Sequence, residues 1–107
     1  MESQIKKFES IKAFLVNSDC FRQYIKTAIT FLSFEEFELF IKFPDKSIYN
    51  GTLLSSNRFD YKSINDTCSD DYTLFFKCFW NSSRLLLSGN WQRRDAHGEI
   101  FIHASLQ

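Results

Sequence analysis

Glycine and proline are scarce in this chain, with three of one and one of the other among 107 residues. Disordered and loop-dominated polypeptides are rich in both, so that class is excluded. Cysteine is sparse as well. Cys20, Cys68 and Cys78 are odd in number and widely spaced, which suits a reduced, cytoplasmic protein better than a disulfide framework. No apolar run reaches the roughly eighteen residues of a membrane-spanning helix, so no membrane span is expected. The basic residues near Met1 lead into no apolar stretch, so no secretory signal is expected. Net charge is zero, which makes nucleic acid an unlikely partner on charge alone. Catalytic signatures are missing too, with neither a Gly-x-Ser-x-Gly elbow nor a glycine-rich phosphate loop.

What the chain has in excess is phenylalanine, thirteen residues of it. Each aromatic side chain buries a large area, so this much of it implies a dense core and an apolar contact face as well. The length fits a single domain, 1–107, able to bury that core without disulfides or metal.

The spacing predicts an α+β fold. Ile5, Phe8, Ile11 and Leu15 recur at helical intervals behind Ser3, a candidate N-cap, over 3–16. Asp19 offers a second cap, and Phe21, Tyr24, Ile25, Ala28, Ile29 and Leu32 form an i, i+3, i+4, i+7 stripe over 19–32. An N-terminal helical hairpin is therefore expected. Residues 33–43 read either as a third helix, from Phe34, Phe37 and Phe40, or as a strand over 36–43, which is preferred. Beyond the Pro44-Asp45-Lys46 turn the pattern is antiparallel β. It comprises 47–54, a short strand at Arg58–Lys62, a strand apolar on both faces at Tyr72–Trp80, and a C-terminal meander through Arg84–Arg93 and Glu99–Leu106. The expected architecture is that hairpin packed on an antiparallel sheet of four to six strands.

Three constellations could carry chemistry. Pro44-Asp45 followed by Asp60-Tyr61-Lys62 resembles the short pattern of PD-(D/E)xK nucleases. That resemblance would make Asp45 and Asp60 the Mg²⁺ carboxylates and Lys62 the transition-state cation. Pro-Asp is also what a tight turn demands, and the turn is the preferred reading. Asp95, His97, Glu99 and His103 could converge as metal ligands, and His97-x-Glu99 is similar to the deaminase His-x-Glu pair. No Pro-Cys-x-x-Cys completes such a site, and no metal or other cofactor is expected. Trp91, Arg93, Arg94 and His97 combine an aromatic with cations, as single-strand binders do. The preferred reading of that cluster is a core tryptophan with Arg93 and Arg94 in ion pairs at its rim.

The leading functional expectation is a non-enzymatic intracellular inhibitor of toxin-immunity or anti-defence type. Segment 33–71 holds eight acidic and four basic residues, whereas the flanking segments are each net basic. Carboxylates at Asp60, Asp66, Asp70 and Asp71, with Tyr61 and Tyr72 as anchors, would face a basic, nucleic-acid-processing partner. The alternatives are a small Mg²⁺-dependent nuclease, a homodimer closed by surplus aromatics, and a single-stranded nucleic-acid binding module.

Overall fold

The computed structural model describes residues 5–17, 19–44, 46–55, 60–64, 73–81, 83–93 and 95–107. These residues form nine strands and no helix: β1 (Lys6–Val16), β2 (Arg22–Tyr24), β3 (Lys26–Ser33), β4 (Glu36–Lys42), β5 (Ile48–Ser55), β6 (Asp60–Ile64), β7 (Thr73–Asn81), β8 (Arg84–Arg93) and β9 (Ala96–Leu106). Each strand pairs antiparallel with its neighbour in the order β2-β1-β3-β4-β5-β6-β7-β8-β9, and β9 returns to pair with β1. That last pairing runs from Phe8 opposite Leu106 to Val16 opposite Glu99. It closes eight of the strands into an antiparallel barrel, with β2 continuing the β3 side along the far half of β1.

The expected helical hairpin is overturned, and with it the α+β class. Residues 3–16 and 19–32 supply β1, β2 and β3. The misleading spacing has a physical origin in β1. Between Ser10 and Lys12 the register with β9 slips by one residue, as a β-bulge requires. Phe8 points inward before the bulge, Ala13 and Leu15 point inward after it, and Ile11 is left outside. A period-two pattern interrupted by one extra residue imitates a period near 3.6. The Ser10 side chain repairs the break by accepting the Thr27 backbone N–H at 3.0 Å. In β3 the true inward set is Thr27, Ile29 and Phe31. The apparent stripe of Tyr24, Ile25, Ala28 and Ile29 mixes both faces, and β-branched Ile25, Thr27, Ile29 and Thr30 favour extended backbone.

The strand expected over 36–43 forms as β4, and the chain returns across the Pro44 turn into β5 from Lys42 opposite Ile48. Lys46 closes that turn in the left-handed region, at φ 71°. The sheet is larger than the expected four to six strands because the N-terminal third joins it. β7 pairs with β6 and β8, and only one of its apolar faces is covered: Leu74, Phe76 and Cys78 are buried, while Phe75 and Phe79 face solvent.

Eight strands enclose a space that side chains alone can fill. Here the filling comes from every strand of the barrel, including Phe8, Ile29, Phe37, Leu53, Leu85 and Ile102. Apolar residues line the inside, and the outside carries charges together with exposed Phe75, Phe79 and Leu86. No helix among the described residues is long and apolar enough to cross a membrane. Aromatic groups close both ends. At one end Phe31 stacks on Trp80 with centroids 5.3 Å apart, Phe34 meets both rings, and Lys6 lies 4.9 Å over the Trp80 ring. At the other, the Trp91 indole N–H donates to the Val16 carbonyl at 3.3 Å.

Two glycines permit this coiling. A Cβ at Gly89 would stand 1.7 Å from the Phe75 carbonyl oxygen, and one at Gly98 would stand 1.9 Å from that of Val16. Both obstacles are backbone, so the strands themselves must move. Gly89→Ala is expected to destabilise the fold by about 3 kcal/mol, at the upper end of overpacking penalties. A shift in the urea midpoint checks it.

Cys78 sits within the barrel, and burial pushes its thiol up from 9.0 to about 12. Burial also raises the Tyr61 phenol above 10.0, with Cys78 adding to the effect. Both groups keep their protons in the folded state at pH values where the unfolded chain has lost them. The Cys78 contribution is complete below about pH 9 and disappears as pH rises towards 12. Cys78→Ala should therefore be less stable at neutral pH yet lose stability less steeply above pH 9, as measured by urea unfolding across that range.

Candidate functional site

A filled barrel offers function its outer wall and its ends. On the wall spanning β2, β1, β9, β8, β7 and β6, the strand registers align outward side chains in three rows. The middle row runs Tyr24, Phe14, Phe101, Ser88, Lys77, Asp60. Above it lie Lys12, His103, Leu86 and Phe79. Below it lie Arg22, Val16, Glu99, Asn90, Phe75 and Lys62.

The first three members of the middle row touch. Phe14 meets Tyr24 edge-on at 5.9 Å between centroids and Phe101 at 5.2 Å. Cations flank this aromatic row. The Arg22 guanidinium lies 4.8 Å over the Phe14 ring, and Lys12 Nζ lies 5.9 Å from the same centroid. Lys62 repeats the motif over Phe75 at 5.7 Å. One row further along β8, Arg84 Nη1 donates to His103 Nε2 at 3.2 Å. Among the described residues, no carboxylate lies within ion-pair distance of Lys12, Arg22 or Arg84. A shallow groove of about 180 Å³ opens between Lys12, Phe14, Leu86, Phe101 and His103. A wider depression of about 420 Å³ continues across Asp60, Phe75, Lys77, Asn90, Glu99 and Phe101.

Charge on the barrel is therefore polarised although the chain is neutral. Strands β1, β2 and β6–β9 turn outward the basic side chains Lys7, Lys12, Arg22, Lys62, Lys77 and Arg84, against the acidic Glu9, Asp60 and Glu99. The opposite wall, on β3, β4 and β5, carries Lys26 and Lys42 against Glu36 and Glu38. A depression of about 460 Å³ there is lined by Ala28, Thr30, Glu38, Phe40, Asn50 and Thr52. It has one exposed aromatic edge and no cation.

The residues singled out from the sequence fall elsewhere. Asp60 points outward, where its carboxylate pairs with Lys77 at 3.6 Å. Tyr61, expected as a surface anchor, is instead buried within the barrel against Phe37, and its hydroxyl donates to the Phe34 carbonyl. In β6 alternate residues take opposite faces, so Asp60 and Tyr61 cannot both lie on one surface. Asp66, Asp70, Asp71 and Tyr72 lie outside the described residues, as does Asp45 of the nuclease pattern. Lys62 turns to the Phe75 ring. Trp91 is buried beneath the barrel end, the position its core alternative anticipated, while Arg93 is half-buried and Arg94 lies outside the described residues. No group of three His, Cys, Asp or Glu among the described residues could hold a metal ion.

Sequence reasoning passed over Tyr24, Phe14 and Phe101 because the helical reading puts Tyr24 on a buried stripe and leaves Phe14 off the stripe of its own segment. The signal that could have found them is the alternation of Phe101 and His103 with buried Ile100, Ile102 and Ala104 on β9. Compared with known proteins, the chain matches no family model, no curated protein and no solved structure.

Tyr61 joins the barrel filling to the tip of the β3–β4 hairpin through one hydroxyl. Tyr61→Phe removes that donor and leaves the Phe34 carbonyl without it, so a loss of about 1–2 kcal/mol is expected. Asp60→Ala, which breaks a partly exposed ion pair with Lys77, should cost under about 1 kcal/mol. Thermal or urea unfolding of the two variants side by side checks this order.

Proposed function

We propose that the protein is a non-enzymatic binding module that holds an anionic partner on the outer wall formed by β2, β1, β9 and β8. The observation that carries this reading is the row of exposed Tyr24 and half-buried Phe14 and Phe101, in which Phe14 touches both neighbours, on the outside of a barrel whose inside is already full. A contiguous apolar patch at the surface is a standing invitation to a partner. The flanking cations Lys12, Arg22 and Arg84 give that partner its sign. Electrostatic complementarity of this kind steers encounter and selects orientation.

Neutralising a partner by covering its working surface, as immunity and anti-defence proteins do, is one use such a wall would serve. A basic partner would be repelled here. It would need the acidic segment at Asp66, Asp70 and Asp71, which lies outside the described residues, with Asp60 already engaged by Lys77. The wall therefore favours an acidic target over a basic one.

The test is a polyanion column. The protein should be retained on immobilised heparin at low salt and released as salt rises. The triple variant Lys12→Glu, Arg22→Glu, Arg84→Glu should pass through unretained, with a melting temperature within a few degrees of the parent because all three side chains are exposed. Equal retention of parent and variant would remove this wall as the site.

A further inference from the structure

Resting on that reading, we infer that the anionic partner is single-stranded nucleic acid, its bases stacked on the Tyr24–Phe14–Phe101 row and its phosphates held by Lys12, Arg22 and Arg84. Three features of the wall select this chemistry. The first is the intimacy of cation and ring. Arg22 and Lys12 both lie over Phe14, at the centre of the patch. Interfaces between proteins keep lysine away from their cores, whereas single-strand sites interleave aromatic platforms with cations. A guanidinium is itself a flat surface on which a base can stack, so Arg22 extends the platform.

The second feature is the layout. The aromatic row crosses three adjacent strands, which lie about 4.8 Å apart. Lys12 and Arg84 lie on one side of that row and Arg22 on the other. A strand laid along the row would place bases on rings with Lys12 and Arg84 beside its phosphates on one side and Arg22 on the other, where Glu99 also lies. His103, beside Phe101 on the same outward face of β9 and bonded to Arg84, adds a further ring next to the groove.

The third feature is shape. The wall of a closed barrel is broad and convex, and no helix among the described residues projects from it to enter a groove. Duplex bases are stacked on one another and present no free face. An unpaired strand does, and aromatic side chains on a sheet are the means by which it is held. The neutral net charge that argued against nucleic acid is an average over the chain, whereas binding depends on the charge of one wall.

The experiment uses the full chain and fluorescein-labelled oligothymidylate and oligouridylate of about 12 nucleotides, within the span of one small barrel, read by fluorescence anisotropy. Duplex DNA of the same length and polyglutamate serve as competitors. Both single strands should bind, and neither competitor should displace them at equal charge. Tyr24→Ala should weaken binding roughly 5- to 150-fold, the worth of one stacked base, while Tyr24→Phe should restore it. Arg22→Gln should reduce the slope of log affinity against log salt by about 0.7, the value for one phosphate contact on a single strand. Equal binding of duplex with no effect of Tyr24→Ala would overturn base stacking and leave a merely electrostatic wall. Displacement by polyglutamate, again with Tyr24→Ala silent, would point to an acidic protein instead. Failure of every polyanion to bind the parent would overturn both this inference and the binding wall it rests on.

Discussion

The pairing of β1 with β9 is the constraint from which the rest of the structure follows. An eight-stranded sheet left open would present two free edges, each a row of unsatisfied backbone donors and acceptors. Hydrogen bonding from Phe8–Leu106 to Val16–Glu99 removes both edges by joining them. Closure also divides every strand into an inside and an outside. Alternate residues then face either a volume with no solvent or a wall fully exposed to it, and the two sets are subject to opposite selection. The bulge at Ile11 is what lets one long strand serve that closure. It bends β1 so that its first half pairs with β3 and its second half with β2 while β9 follows along the other side.

Because the inside is packed, chemistry is displaced outward. Cys78 and Tyr61, the two groups whose titration is most altered, are altered by burial. They are held neutral within the filling, which is the opposite of the electropositive, partly open setting that activates a thiol. Cys20, by contrast, is exposed in the β1–β2 loop, where Asn17 Oδ1 accepts from the backbone of Asp19 and Phe21. Glycine contributes through absence of bulk: Gly89 and Gly98 let neighbouring backbones approach closely where the strands coil. The aromatic wall is then the surface left over once the core has taken the rings it can hold. Thirteen phenylalanines exceed that capacity, and Phe14, Phe75, Phe79 and Phe101 lie outside it.

Much of the second half of the fold was legible as sequence. From residue 36 onward, alternation and turn residues mark β4, β5, β7, β8 and β9, since there each strand is uninterrupted and its period is two. The first third was not legible, because a bulge and a short connecting break between Tyr24 and Lys26 disturb that period just enough to imitate a helix. The candidate site was almost invisible for the same reason. Phe14 and Tyr24 stand near the ends of strands that read as helices, and Phe101 reaches them only through the β1–β9 pairing. Tyr61 was misplaced by one residue of parity, which in a strand is the whole difference between surface and interior.

By itself the sequence determined that this chain buries a dense aromatic core, that its C-terminal half is antiparallel β, and that its rings are in surplus. Those properties depend on composition and local period, which neighbouring residues express without knowing the fold. Only the tertiary structure decided that the N-terminal third is sheet, that the sheet closes, and that Lys12, Arg22 and Arg84 gather around Phe14 and Phe101. Pairing between residues as far apart in the chain as Phe8 and Leu106 is a non-local event with no local signature. In a barrel it is that pairing which assigns each side chain to the core or to the wall.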